Sequence, residues 1–82
     1  MSERGWAGQL LTWSGVGGLL QEARIGNAVY YVERGLDGAK AWALVREGGR
    51  VRVELGRHPT IWAARRACEA DARVRCGGED RR

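Results

Sequence analysis

Glycine-bearing breaks recur through the middle of this chain, at Gly26-Asn27, Gly35-Leu36-Asp37-Gly38 and Gly48-Gly49, and they cut it into short runs. Glycine reaches positive φ without a Cβ penalty, so these stretches favour tight reversals. The runs between them (28–34, 39–47 and 50–55) carry the β-branched and aromatic residues that strands prefer. Strands joined by tight turns lie side by side and antiparallel. Upstream, 20–25 reads as a further strand, with Leu20, Ala23 and Ile25 turned towards a core. Trp6, Leu10, Leu11 and Trp13 suggest a first strand, and Gly15-Val16-Gly17-Gly18 a turn or link.

After the strands the pattern changes. Pro59 precedes Thr60, a suitable N-cap, and 61–74 is rich in Ala and Arg, both good helix formers. Ile61, Ala64, Cys68 and Ala72 recur at helical spacing and form one stripe, with Ala67 at its edge. Arg65, Arg66, Glu69 and Arg73 lie off it, and Arg65–Glu69 and Glu69–Arg73 are i,i+4 pairs. The expected fold class is α+β: an antiparallel meander sheet of three to five strands packed against one C-terminal helix. With 82 residues there is room for one modest core. The domain is expected to span 1–76, with 77–82 a flexible polar tail.

A two-residue Gly48-Gly49 loop would set Glu47 opposite Arg50, Leu44 opposite Val53 and Trp42 opposite Leu55. In the preceding hairpin, a four-residue loop sets Tyr31 opposite Trp42, and a two-residue Asp37-Gly38 loop sets it opposite Leu44. Both options give a core face of Val29, Tyr31, Trp42, Leu44, Val51, Val53 and Leu55. The other face would hold Tyr30, Val32, Ala41, Ala43 and Val45 beside Arg50, Arg52 and Glu54. That face is too apolar for open solvent, so it needs a cover. The covers to weigh are the N-terminal segment with Trp6 and Trp13, a partner, or a second copy. A single bulge would reverse this parity.

Chemistry is sparse. His58, the only histidine, has no positioned partner for general-base work. Cys68 falls on the apolar stripe, where a free thiol acts as a small hydrophobe. Two Cys and one His are too few for a structural zinc site. Gly15-Val16-Gly17-Gly18 lacks the Gly-Lys-Ser/Thr of a phosphate loop. No cofactor, metal or catalytic residue is expected. No run is long and apolar enough to span a membrane, and no secretory leader pattern opens the chain, so a cytoplasmic protein is expected. The net charge is +4, from 14 Lys+Arg and 10 Asp+Glu. Residues 56–82 carry most of the excess, seven basic against four acidic.

The stretch Leu55-Gly56-Arg57-His58-Pro59-Thr60, between strands and an Ala-rich helix through Asp71, resembles the end of a DNA-binding fold. That fold, three strands plus a helix, belongs to plant AP2-type transcription factors and to arm-binding domains of tyrosine recombinases. The resemblance covers 28–72. It implies a sheet that lies in the major groove, with Arg50 and Arg52 as the corresponding contacts. Trp13, Tyr30-Tyr31-Val32, Leu55-Gly56 and Thr60 are also similar to a pattern in small phage or prophage proteins. That class includes inhibitors of the anti-CRISPR type.

What remains is surface. The expected partner-binding residues are Tyr30, Arg50 and Arg52 on the sheet, and Trp62, Arg65 and Arg66 on the helix, because aromatic and Arg side chains anchor interfaces. The leading expectation is a non-enzymatic protein-binding module, an inhibitor of a host defence complex carried by a phage or mobile element. Its partner would be a host or phage protein complex. The alternative is a nucleic-acid-binding module using the Arg-bearing sheet face. Pairing of two copies stays open in both cases.

Overall fold

The computed structural model describes residues 10–46 and 48–80. Among the described residues five strands follow one another: β1 (Ser14–Gly17), β2 (Leu20–Ile25), β3 (Ala28–Gly35), β4 (Gly38–Arg46) and β5 (Arg50–His58). Their spatial order is their chain order and every pairing is antiparallel, so the sheet is a simple meander. One helix, α1 (Ile61–Asp80), lies across β3, β4 and β5. The expected fold class is the observed one.

Three local expectations change. Leu10, Leu11 and Trp13, expected in a first strand, precede the first described one, which starts at Ser14. The Gly15-Val16-Gly17 stretch belongs to β1, and the turn falls on Gly18 and Leu19. The helix runs past Val74 to Asp80, into the segment expected to be a flexible tail. Trp6, Glu47 and the last two residues lie outside the described residues.

The larger correction concerns which face is the core. Tyr31 does stand opposite Trp42, and Val29 opposite Leu44. Between β4 and β5, however, Arg46 pairs with Arg50 and Val45 with Val51. Three positions therefore separate the paired residues, one more than in the two-residue turn, and Gly48 and Gly49 are both at positive φ. That extra residue reverses the parity of β5 against β4. Ala43 now pairs with Val53 and Leu44 with Arg52.

The buried face is consequently Tyr30, Val32, Ala41, Ala43 and Val45, joined by Ala23, Ala28 and Ala39. Val29, Tyr31, Trp42 and Leu44 face outward and are only half-buried. Side-chain size explains the choice. The helix offers Ala64, Cys68 and Ala72, all fully buried, and the sheet answers with Ala41 and Ala43. Such small residues let the two layers approach closely, whereas Trp42 and Leu44 of the same strand would hold them apart.

Past Val53 the register shifts, so that both Leu55 and Gly56 sit against Ala41. This bulge keeps Val53 and Leu55 packed against the core and returns Arg57 to the outer face, opposite Lys40. Val51 points to the helix side but is 52% exposed on the edge strand.

The helix covers the apolar face, and of the expected N-terminal cover only residues 10–13 are among the described residues. Leu11 is buried and Trp13 packs against the core. The backbone N–H groups of Leu10 and Leu11 donate to the two Glu69 carboxylate oxygens at 2.9 and 2.8 Å. Glu69 is thereby drawn away from Arg65, and its Arg73 partner stands at 4.0 Å. Thr60 is the N-cap, its Oγ1 accepting from the Ala63 N–H at 3.1 Å.

Candidate functional site on the uncovered sheet face

The sequence-derived site residues fall into three places. Tyr30 is not at a surface. It is 0% exposed beneath the helix, and its hydroxyl donates to Asp71 Oδ2 at 2.6 Å. Asp71 also accepts from Arg75 Nε at 2.7 Å. Burial first, then the neighbouring Asp71, holds the Tyr30 hydroxyl far above its ordinary range. The group ties β3 to α1 and is unavailable to a partner. Arg50 and Arg52 are exposed on the outer face of β5. Trp62, Arg65 and Arg66 lie on the helix layer, so the sheet and helix candidates form separate surfaces.

The outer face has a consistent arrangement, row by row across the strands. One row holds Glu22, Tyr31, Trp42 and Glu54; the next holds Arg24, Val29, Leu44 and Arg52. Tyr31 and Trp42 stack at 5.5 Å between centroids, with planes 18° apart. The Arg52 guanidinium lies over the Trp42 ring, 4.9 Å from its centroid. Because β3 and β5 flank β4, these neighbours approach the indole from opposite sides. The result is a rigid stacked ridge of Tyr31, Trp42 and Arg52 on the exposed sheet.

Charge frames this ridge. The Arg46–Arg50 pair lies at one end of the β4–β5 hairpin and the Lys40–Arg57 pair at the other. Six residue steps along β4, from Lys40 to Arg46, separate the two pairs, about 20 Å at ~3.4 Å per residue. The carboxylates on this face are matched locally. Glu22 pairs with Arg24 at 3.2 Å, Glu54 pairs with Arg52, and Glu33 stands opposite Lys40. Among the described residues, Arg46, Arg50 and Arg57 have no carboxylate partner. Exposed ion pairs of this kind contribute little to stability, about 0–1 kcal/mol each, so their placement matters more for recognition.

Of this set, sequence reading found Arg50 and Arg52. It missed Trp42, Tyr31, Lys40, Arg46 and Arg57, because the assumed hairpin parity turned the two aromatics inward. Alternation in β5 was visible; the loop length that decides its facing was not.

Among the described side chains, His58 and Cys68 are held within the fold. His58 Nε2 lies 2.8 Å from the Leu55 carbonyl oxygen, within the bulge. Cys68 is buried, and desolvation with nearby Asp71 and Glu69 pushes its thiol up to about 12. A thiol held protonated in this way is a poor nucleophile. No helix among the described residues is long and apolar enough to cross a membrane. Compared with known families, curated proteins and solved structures, the chain matches no family model, and neither a curated protein nor a solved structure matches it significantly.

Proposed function

We propose that this chain is a non-catalytic nucleic-acid-binding module that docks the uncovered face of its sheet on a duplex. The observation that carries this reading is the Tyr31–Trp42–Arg52 ridge set between two basic pairs. The major groove is about 12 Å wide, with a phosphate backbone beyond each wall. Basic pairs about 20 Å apart suit contact with both backbones, while the ridge between them faces the base edges. A single strand is the poorer fit. Base stacking needs an open aromatic face, and both sides of the Trp42 indole have neighbours. A cytoplasmic setting belongs to the same proposal, supported by the free, buried thiol of Cys68.

The test is a salt titration of duplex DNA binding. The wild-type chain is expected to bind, with affinity falling steeply as salt rises. The Arg46→Gln/Arg50→Gln/Arg57→Gln variant should bind about tenfold or more weakly, and its log–log salt slope should shrink by roughly 0.9 for each phosphate that it no longer neutralises. All three side chains are exposed, so the variant should keep the wild-type circular dichroism spectrum. Absence of any duplex binding at low salt defeats the proposal.

A protein partner on this face is the second reading, favoured by Val29 and Leu44 beside the ridge and by the interleaved Glu22, Glu33 and Glu54. Mixed charge around an aromatic centre also suits a protein interface. An inhibitor of a host complex carried by a mobile element belongs under this reading. It requires a complex that survives nuclease treatment and depends only weakly on salt.

A further inference from the structure

A second surface stands apart from the outer sheet face. The meander brings the β3–β4 turn, the end of β5 and the start of α1 to one end of the molecule. Between them runs an open groove whose lining includes Leu36, Trp62, Pro59, Ile61, Arg34 and Arg65. Leu36 is fully exposed at the turn, and Trp62 is 70% exposed on the first turn of the helix. Exposing two large apolar side chains at one groove is unfavourable unless something occupies it.

Three features say what kind of occupant fits. Trp62 is partly pre-positioned, because the Arg65 guanidinium lies 5.3 Å from its ring centroid and 5.6 Å from that of Trp13. Arg65 is itself held by the neutral amide oxygen of Gln21 at 2.8 and 3.1 Å, so that hydrogen bonding leaves its positive charge uncompensated. Arg34 adds a second guanidinium, and among the described residues no carboxylate lines the groove. Glu33 and Asp37 line an adjoining depression that shares Arg34 and Leu36 with the groove, where Lys40, Arg57 and His58 stand beside them. The first turn of α1 contains no acidic residue, so the positive end of its dipole is not offset there. Arg66, four residues beyond Trp62, is exposed on the same helix.

We infer that this groove docks a short acidic segment of a protein partner, one bearing a large apolar anchor that packs between Leu36 and Trp62 while its carboxylates meet Arg34 and Arg65. The site is separate from the sheet face and does not depend on the function proposed for it. Together the two surfaces would let one small domain bridge two macromolecules.

The test is selection from a random twelve-residue displayed-peptide library on the full chain, scored against the Leu36→Asp/Trp62→Ala variant. Both positions are exposed, so the variant should fold as the wild type does, which circular dichroism checks. Enriched peptides are expected to carry Asp or Glu around one Trp, Phe or Leu. Their binding to the variant should be roughly thirty-fold weaker, the loss typical of truncating a hot-spot residue. Arg50→Gln should leave their binding unchanged, separating this site from the sheet face. Enrichment of basic or uncharged peptides, equal binding to the variant, or no enrichment would overturn the inference. So would a dimer in sedimentation that the variant abolishes, since the groove would then hold a second copy.

Discussion

Gly38→Val is expected to leave most of the chain unfolded at room temperature. Gly38 opens β4 at a φ of 129°, a conformation that L side chains rarely adopt. Strain of that kind costs about 1–3 kcal/mol by itself. A Cβ at this position would also land within the van der Waals envelope of the His58 carbonyl oxygen and close to Pro59. Those atoms are backbone where β5 hands over to α1, so relief would move the helix start. For a chain of 82 residues the whole stability is roughly 4–12 kcal/mol, from ~0.05–0.15 kcal/mol per residue. The combined cost reaches a large share of it. Gly35→Ala is the control, because its nearest non-local atom would be the Gly38 carbonyl oxygen at 3.8 Å, an ordinary separation. Urea midpoints should separate the two variants clearly. Equal midpoints would show that the β5–α1 junction yields easily.

The second large effect is at Tyr30. Tyr30→Ala removes the largest fully buried side chain and should cost about 3–5 kcal/mol, as aromatic truncations in cores do. Tyr30→Phe keeps the ring and deletes only the bond to Asp71, for about 1–2 kcal/mol. The hydroxyl also implies an alkaline limit. Its folded pKa lies above the ordinary 10.0, so its contribution is complete below that pH and is lost as pH rises through the folded value. Cys68 acts in the same direction, from its ordinary 9.0 to about 12. Wild-type stability should therefore decline from about pH 9 upward. Tyr30→Phe should decline less, keeping only the Cys68 part. A parallel decline in both proteins would contradict the assigned role of the hydroxyl.

The contrast between these two residues shows what was legible beforehand. The helix stripe of Ile61, Ala64, Cys68 and Ala72 could be read directly, because helical spacing depends only on the local chain. Thr60 as the cap was readable for the same reason, whereas the Tyr31–Trp42 pairing was one of two registers that the loop length left open. The core face was not, since it depended on one residue of loop length. Gly48-Gly49 is equally compatible with a two-residue and a three-residue reversal, and the choice decides whether β4 offers Trp42 or Ala43 to the helix. Tyr30 thus moved from a supposed interface residue to the centre of the core, and the aromatic ridge moved outward. The helix-side candidates, Trp62 and Arg66, kept their exposure because they were placed by periodicity alone.

The clasp of Glu69 on the amides of Leu10 and Leu11 bears on how the molecule can be handled. Its donors are main-chain groups, so the grip itself does not depend on which side chains stand at those positions. Leu10 and Leu11 are thus held on the helix layer, away from the aromatic ridge. A fluorophore coupled at position 10, which is exposed, would leave the opposite layer facing solvent, an orientation suited to measuring what the sheet binds.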